Sequence, residues 1–194
     1  IVADHLHALG IEVTTGVAHT GVVGVLRGAR PGPCIGLRAD MDALPIEEKT
    51  GLPHASKIAG KMHACGHDGH TAMLLGAAKH LSETRNFRGA VAVIFQPAEE
   101  GGGGGREMVK DGMMDRFAIR EVYGMHNMPG MAVGEFAIRK GGIMAATDEF
   151  NITITGKGGH AAMPHLTIDP VMVGAHMVTA LQTIVSRSTD PVSS

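Results

Sequence analysis

Tryptophan is absent from this sequence, tyrosine occurs once, and aromatic residues reach only 3%. What remains is a hydrophobic fraction of 44% with 28 glycines, which suits a tightly packed α/β protein with many turns and lies far from the disordered regime. Cysteine is scarce as well. Two cysteines make no disulfide framework, and one of them sits among histidines, so a reducing cytoplasm is the expected location. Neither sign of charge dominates. A net charge of −2 with no long basic run points away from nucleic acid and from an anionic membrane surface. No uninterrupted apolar run approaches the roughly 18 residues that span a bilayer, and no signal-peptide pattern is present. The 13 methionines are scattered and read as core filler. There is no initiating methionine. The chain opens on IVADHLHALG, the tail of an amphipathic helix capped by Gly10, and stops at TDPVSS just after a strong helix. We therefore expect a fragment cut at both ends, holding one domain and part of another.

The stretch GKMHACGHDGH, Gly60–His70, concentrates the chemistry. It places Cys65, His63, His67, His70 and Asp68 within eight residues, with glycines between them. Cys65 and His67 are two apart; on an extended segment they point the same way and could share one borderline-soft cation, zinc by default. The plainer alternative is a loop of surface histidines beside a buried thiol. Asp68 is also placed to cap the helix that follows, Gly69–Leu81, whose Ala72, Met73, Leu74, Leu75, Ala77 and Ala78 are apolar.

Strands are expected at Ile11–Thr15, Val22–Leu26, Cys34–Leu37, Ala90–Phe95 and Glu121–Met125, with further extended pieces at Val133–Arg139 and Gly142–Ala146. Cys34 reads as inert core and His54 as exposed. The continuous apolar run AVAVIF fits a strand buried on both faces. Alternation of strands and helices predicts right-handed crossovers and a mostly parallel sheet flanked by helices. Three strand ends then carry polar groups: Asp40 and Asp42 after one, Glu99 and Glu100 after another, His126 after a third. Sites in such sheets form beyond the carboxyl ends of the strands, and the Cys65–His70 loop enters the intervening helix at that end. The convergence predicts a metal site with one or two ions. The adjacent glutamates suit a division of labour, one binding a cation and the other taking a proton from water. The run Gly101–Gly105 reads as a tight turn where backbone passes close to something.

From Asp148 the texture changes. Phe150–Thr155 alternates strictly, as in a half-exposed strand. GKGGHAAMPH follows, and Asp169-Pro170 starts a helix running to about Val185, with Val171, Gly174, Val178, Leu181 and Val185 at core spacing. The expected division is a catalytic domain over 1–147 and part of a small α+β domain over 148–194.

The motifs HACGHDGH, QPAEE, YGMHN and GKGGHAAMPH, in this order, resemble those of peptidase family M twenty, in particular its amidohydrolase subgroup of hippurate hydrolases, N-acyl-L-amino-acid amidohydrolases and plant auxin-conjugate hydrolases. The resemblance implies a zinc-exopeptidase-like catalytic domain with a lid or dimerisation domain. It implies Cys65, His67, Glu100 and His126 as metal ligands, Glu99 as general base, and His160 as a lid histidine that stabilises the oxyanion or grips the substrate carboxylate. Asp42 would orient the metal site, although the Asp-x-Asp here departs from the His-x-Asp of other branches. The metal would be zinc or manganese, with cobalt or nickel as further options. The substrate would be a small N-acyl amino acid, and the whole protein a homodimer through the lid. A further C-terminal histidine ligand of the family has no counterpart in the chain, so the fragment alone is expected to bind metal weakly and to be nearly inactive. Two other readings stand beside this one. One is a dipeptidase or aminopeptidase of the same chemistry. The other is a structural metal or thiol redox-sensing module, which would want four strong ligands and no spare base.

Overall fold

The structure is a computed structural model and describes residues 1–144 and 149–189. Two compact units are present, Ile1–Gly134 and Glu135–Ser194. The expected domain boundary at 147/148 falls outside the described residues.

The first unit opens with α1, Val2–Ala8, which stops where Gly10 adopts a left-handed φ of 67°. Strands β1, Glu12–Val17, and β2, Gly21–Arg27, pair antiparallel. β3, Arg30–Asp40, leads through a long loop to α2, His67–Thr84, and then to β4, Arg88–Gln96. Two short helices, α3 at Gly104–Lys110 and α4 at Met113–Arg116, precede β5, Ile119–Gly124. The sheet order is β1-β2-β4-β3-β5. β3 pairs parallel with both β4 and β5, and β2 pairs antiparallel with β4. The parallel character expected from the crossovers thus holds for β4-β3-β5, and the β1–β2 hairpin adds an antiparallel margin. β3 is longer than its apolar run. Its Pro-Gly-Pro segment is accommodated by a register shift between Arg30 and Cys34, at the exposed start of the strand.

β4 is the spine of the core. Its Val91, Val93 and Phe95 pack with Leu6 of α1, Leu26 of β2, and Leu74 and Ala78 of α2. The alternate residues Ala92 and Ile94 pack with Cys34, Met108 of α3, Met113 of α4 and Ile119 on the other face. A strand with period-2 side chains and a helix layer on each side must be apolar throughout, which is why AVAVIF is unbroken. Cys34 is buried there, and burial pushes its thiol up, as inert core requires. On α2 only Leu74 and Ala78 of the apolar set are fully buried, while Met73 is exposed, so one stripe faces the sheet.

Register places the functional rim. Asp40 of β3 lies opposite Gln96 of β4, and Arg38 lies opposite Gly124 of β5. The carboxyl ends of β3 and β4 therefore finish level, and β5 ends two residues earlier at the same edge of the sheet. Connections from β3 run to β4 on one side and from β4 to β5 on the other, so β3 sits at the switch point of the strand order.

In the second unit, α5 spans Pro170–Thr183 and continues into a wider turn at Ile184–Ser188. Asp169 caps it by accepting the Val171 N–H at 2.9 Å, with Pro170 in the first turn as expected. Two sequence expectations fail here. Phe150–Thr155 forms no ladder, and Val133–Arg139 forms none either; the one bridge among the described residues of the unit joins Lys157 and Ile168. Alternation makes a strand only where a partner takes its N–H and C=O groups. Of the positions at core spacing, Val171, Val178, Leu181 and Val185 are exposed and only Gly174 is half-buried.

Candidate metal centre

His67 is the first residue of α2 and is 1% exposed. Gly66, just before it, adopts φ 84° and turns the chain sharply into the helix. Cys65 and His67 therefore meet through a left-handed turn and not along the extended segment anticipated from their spacing. Gly66 is the cap residue, which corrects the capping role expected of Asp68. Asp68 is exposed, and its Oδ1 accepts the Gly69 N–H at 2.9 Å. α2 is tied to the end of β3 by the Thr71 hydroxyl, which donates to the Asp40 carbonyl at 3.1 Å.

His67 Nδ1 lies 3.3 Å from Asp42 Oδ1. A carboxylate only accepts, so this nitrogen carries the proton and Nε2 keeps a lone pair. That Nε2 is buried without a hydrogen-bond partner. Left so, it costs about 1–3 kcal/mol. Around it stand Glu100 Oε1 at 3.7 Å, Asp40 Oδ2 at 3.7 Å and Glu99 Oε2 at 3.9 Å, all too long for hydrogen bonds. The donor atoms of Cys65, His67 and His126 lie within 4.8 Å of one another, as do those of His67, Glu99 and Glu100. Cys65 Sγ is 3.4 Å from His126 Nε2. His126 Nδ1 donates to the Asn127 carbonyl at 2.6 Å, which again leaves Nε2 with the lone pair. An orphaned imidazole nitrogen, a second imidazole, a thiol and two carboxylates facing one space fit a divalent cation of the zinc type. Each histidine has its other nitrogen held, as metal-ligating histidines do.

Asp40, His67 and His70 form a third group of suitable donors. Asp40 is already committed, however. Its Oδ1 accepts from His70 Nδ1 at 2.6 Å and its Oδ2 from Arg38 at 2.9 Å. The cation-facing set is therefore Cys65, His67, Glu99, Glu100 and His126, with Asp42 behind His67.

Charge follows the same layout. Burial alone would raise the Asp40 carboxyl, but the His70 hydrogen bond and the Arg38 charge outweigh it and hold it below the ordinary range. Asp42 behaves alike. Burial is overcome by the backbone N–H groups of Glu100 and Glu99, and Glu100 N–H donates to Oδ2 at 2.9 Å. Cys65 moves the opposite way, pushed up by burial and by Glu100, Glu99 and Asp40. A cation at this point relieves that carboxylate pressure and favours the thiolate.

The glutamates are aimed by the turn after β4. Ala98 takes φ 51°, and the N–H groups of Gly102 and Gly104 donate back to its carbonyl. At Gly104 a side chain would overlap the Pro97 carbonyl, which is the close approach that the glycine run anticipated. Of the sequence candidates, Asp42, Cys65, His67, Glu99, Glu100 and His126 are brought together. His63 is exposed and outside the group. His160 lies in the second unit, exposed, with Nδ1 accepting the Ala162 N–H at 3.1 Å, so its proton sits on Nε2. Sequence reasoning gave no role to Asn127, and it placed Asp40 and His70 at the converging rim without giving either a specific task. The signal that could have tied His70 to His67 is their i, i+3 spacing, which puts both on one helix face.

A family profile described as Peptidase family M20/M25/M40 matches residues 36–193. The chain belongs to this family. Curated relatives from it include an N-acetyl-L-cysteine deacetylase of Bacillus subtilis, 50% identical over 95% of this chain and 44% of that protein. A hippurate hydrolase of Campylobacter jejuni is 48% identical over 100% of this chain and 50% of that protein, and an IAA-amino acid hydrolase of Arabidopsis thaliana is 46% identical over 100% and 44%. The chain spans about half the length of the curated relatives it matches. Among solved structures, a protein of methicillin-resistant Staphylococcus aureus provisionally assigned as an aminohydrolase superposes with a TM-score of 0.80 at 39% identity, covering 98% of this chain and 51% of that one. A dinuclear metal binding peptidase of Bacillus subtilis, also of the M20 family, gives 0.65 at 44% identity, covering 69% and 37%. Among the described residues, no helix is long and apolar enough to cross a membrane.

Proposed function

We propose that the protein carrying this chain hydrolyses the amide bond of N-acyl amino acids, releasing a carboxylate and a free amino acid. The observation that carries the reading is the buried, partnerless His67 Nε2, backed by Asp42 and facing a thiol and two carboxylates. The names of the three relatives given above, an N-acetyl-L-cysteine deacetylase, a hippurate hydrolase and an IAA-amino acid hydrolase, support the substrate class. Cys65, His67, Glu100 and His126 hold one or two divalent cations, zinc or manganese. When bound, the cation polarises the scissile carbonyl and lowers the pKa of the attacking water.

The two glutamates divide the remaining work by position. Glu100 is tethered through its backbone to Asp42, and its side chain is 25% exposed. Glu99 is 43% exposed and reaches solvent, so it takes the proton from water and returns it to the leaving amine. His160 donates from Nε2 to the oxyanion. Residues 148–194 supply the lid and the homodimer contact, and the cytoplasm is the working compartment.

Glu99→Gln tests this in the complete protein. Metal content should stay at the wild-type level, while hydrolysis of hippurate or an N-acetyl amino acid falls about a hundred- to ten-thousand-fold. Loss of metal and of folding together would instead mark a structural site. A wild-type protein that takes up metal and cleaves no acyl amino acid would overturn the substrate class.

A further inference from the structure

Residue 127 does more than follow a ligand. Its carbonyl accepts from His126 Nδ1 at 2.6 Å and so sets that ring. Its own N–H donates to His70 Nε2 at 3.0 Å. Its Nδ2 donates to the Gly66 carbonyl at 3.3 Å, between Cys65 and His67. The amide lies so close to the start of α2 that a side chain at Gly66 would overlap it, and one at Gly69 would press on it at 3.1 Å. A single residue thus grips His126 on one side and the Cys65–His67 turn on the other.

The grip is anchored in the sheet. His70, one turn along α2 from His67, is buried and donates from Nδ1 to Asp40. Asp40, at the end of β3, is also held by Arg38, and Arg38 Nε donates to Gln96 Oε1 at 2.8 Å, at the end of β4. Arg38, Asp40, His70 and Asn127 therefore form one continuous line of polar contacts. It runs from the central strands through α2 to the loop after β5.

We propose that this line is a positioning relay which fixes the separation of His126 from Cys65 and His67, with His70 and Asn127 as positioning residues. None of the four touches the cation space with a free donor atom; each acts through a ligand or its neighbour. The inference rests on the metal-centre reading given above.

The test compares wild type, Asn127→Ala, His70→Asn and the double variant of the complete protein. His70→Asn keeps an N–H near the position of Nδ1 for Asp40 and loses the link to Asn127. Zn²⁺ affinity is read by chelator competition, the ligand field by the visible spectrum with Co²⁺, and folding by the melting temperature without metal. Each single variant should weaken Zn²⁺ binding about 10–100-fold, the size of effect seen for partners of metal ligands. The Co²⁺ bands should shift, which loss of bulk stability alone would not cause. Asn127→Ala removes the side-chain bond to the Gly66 carbonyl and His70→Asn the bond from the Asn127 N–H; because these lie in series in one relay, the double variant should be weaker by less than the product of the two single effects. Asn127→Ala removes only one 3.3 Å side-chain bond from an exposed residue, so it should still fold without metal and decides the matter if His70→Asn fails to fold. Zn²⁺ affinity and Co²⁺ spectrum indistinguishable from wild type in Asn127→Ala would overturn the relay while leaving the metal centre intact. Effects that multiply in the double variant would overturn it too. A wild-type protein that binds neither Zn²⁺ nor Co²⁺ would overturn the metal-centre reading and the relay together.

Discussion

Asp40 has both oxygens engaged and almost no exposed surface, so its ionisation is coupled to folding. Its folded carboxyl sits below the ordinary value, despite the opposing pull of burial, because His70 and Arg38 favour the anion. A group depressed in this way contributes stability above its unfolded pKa of about 3.9 and loses that contribution as pH falls through the folded value. Asp40→Asn should therefore destabilise the protein at neutral pH by about 1.5–3 kcal/mol, the worth of hydrogen bonds to a charged group. Below about pH 4 the gap between variant and wild type should narrow, because the unfolded chain's carboxyl takes its proton first and the folded one follows only as pH falls through its lower value. Urea melts from neutral pH down through that range measure both effects, and a gap that widens on acidification would contradict the assignment. The site itself was legible in sequence for a simple reason. Thiol, imidazole and carboxylate groups at strand ends announce their chemistry by residue type. Asp40 and His70 stood among those groups, but their link through Asn127 did not, because it exists only once β3, α2 and the loop after β5 are brought together, and no local pattern encodes that meeting.

The turn after β4 shows how an element can depend on missing side chains. Gly104 lies against the Pro97 carbonyl, whereas Gly101 has open space around it. Alanine at Gly104 should cost about 1–3 kcal/mol or more through overpacking, and it should swing Glu99 and Glu100 out of line. Alanine at Gly101 should stay within about 0.5 kcal/mol of wild type. Chemical denaturation of the pair separates a built turn from a flexible linker. At this scale the sequence was a good guide where each element carries its own stop or start signal. Gly10 ends α1, Asp169-Pro170 starts α5, and the unbroken apolar run is β4. It misled where a pattern needs a partner. Phe150–Thr155 alternates like a strand, yet nothing pairs with it among the described residues. The Gly66 turn was hidden for another reason: one positive φ brings Cys65 to His67 without any extended run.

The first unit should hold together without a cation, because its two core layers are apolar and meet on either face of β4. A cation should add to that stability by mass action alone. With free Zn²⁺ at 100 times its Kd the gain is about 2.7 kcal/mol, visible as a raised melting temperature that EDTA reverses. Unfolding on EDTA treatment at ambient temperature would instead indicate a structural metal. The strand sequence told of the layers, but not of where β4 lodges, since residue patterns specify faces and not neighbours. That placement has an outcome for the chain as it is made. β2 and β3 are consecutive, yet β4 lies between them in the sheet, and about 50 residues separate Asp40 from Arg88. At roughly 5–20 residues per second of synthesis, several seconds pass in which the facing edges of β2 and β3 stand open. During that interval a nascent chain is exposed to strand addition by its neighbours, and crowded polysomes should make this protein a client of whatever chaperone first meets an emerging sheet edge.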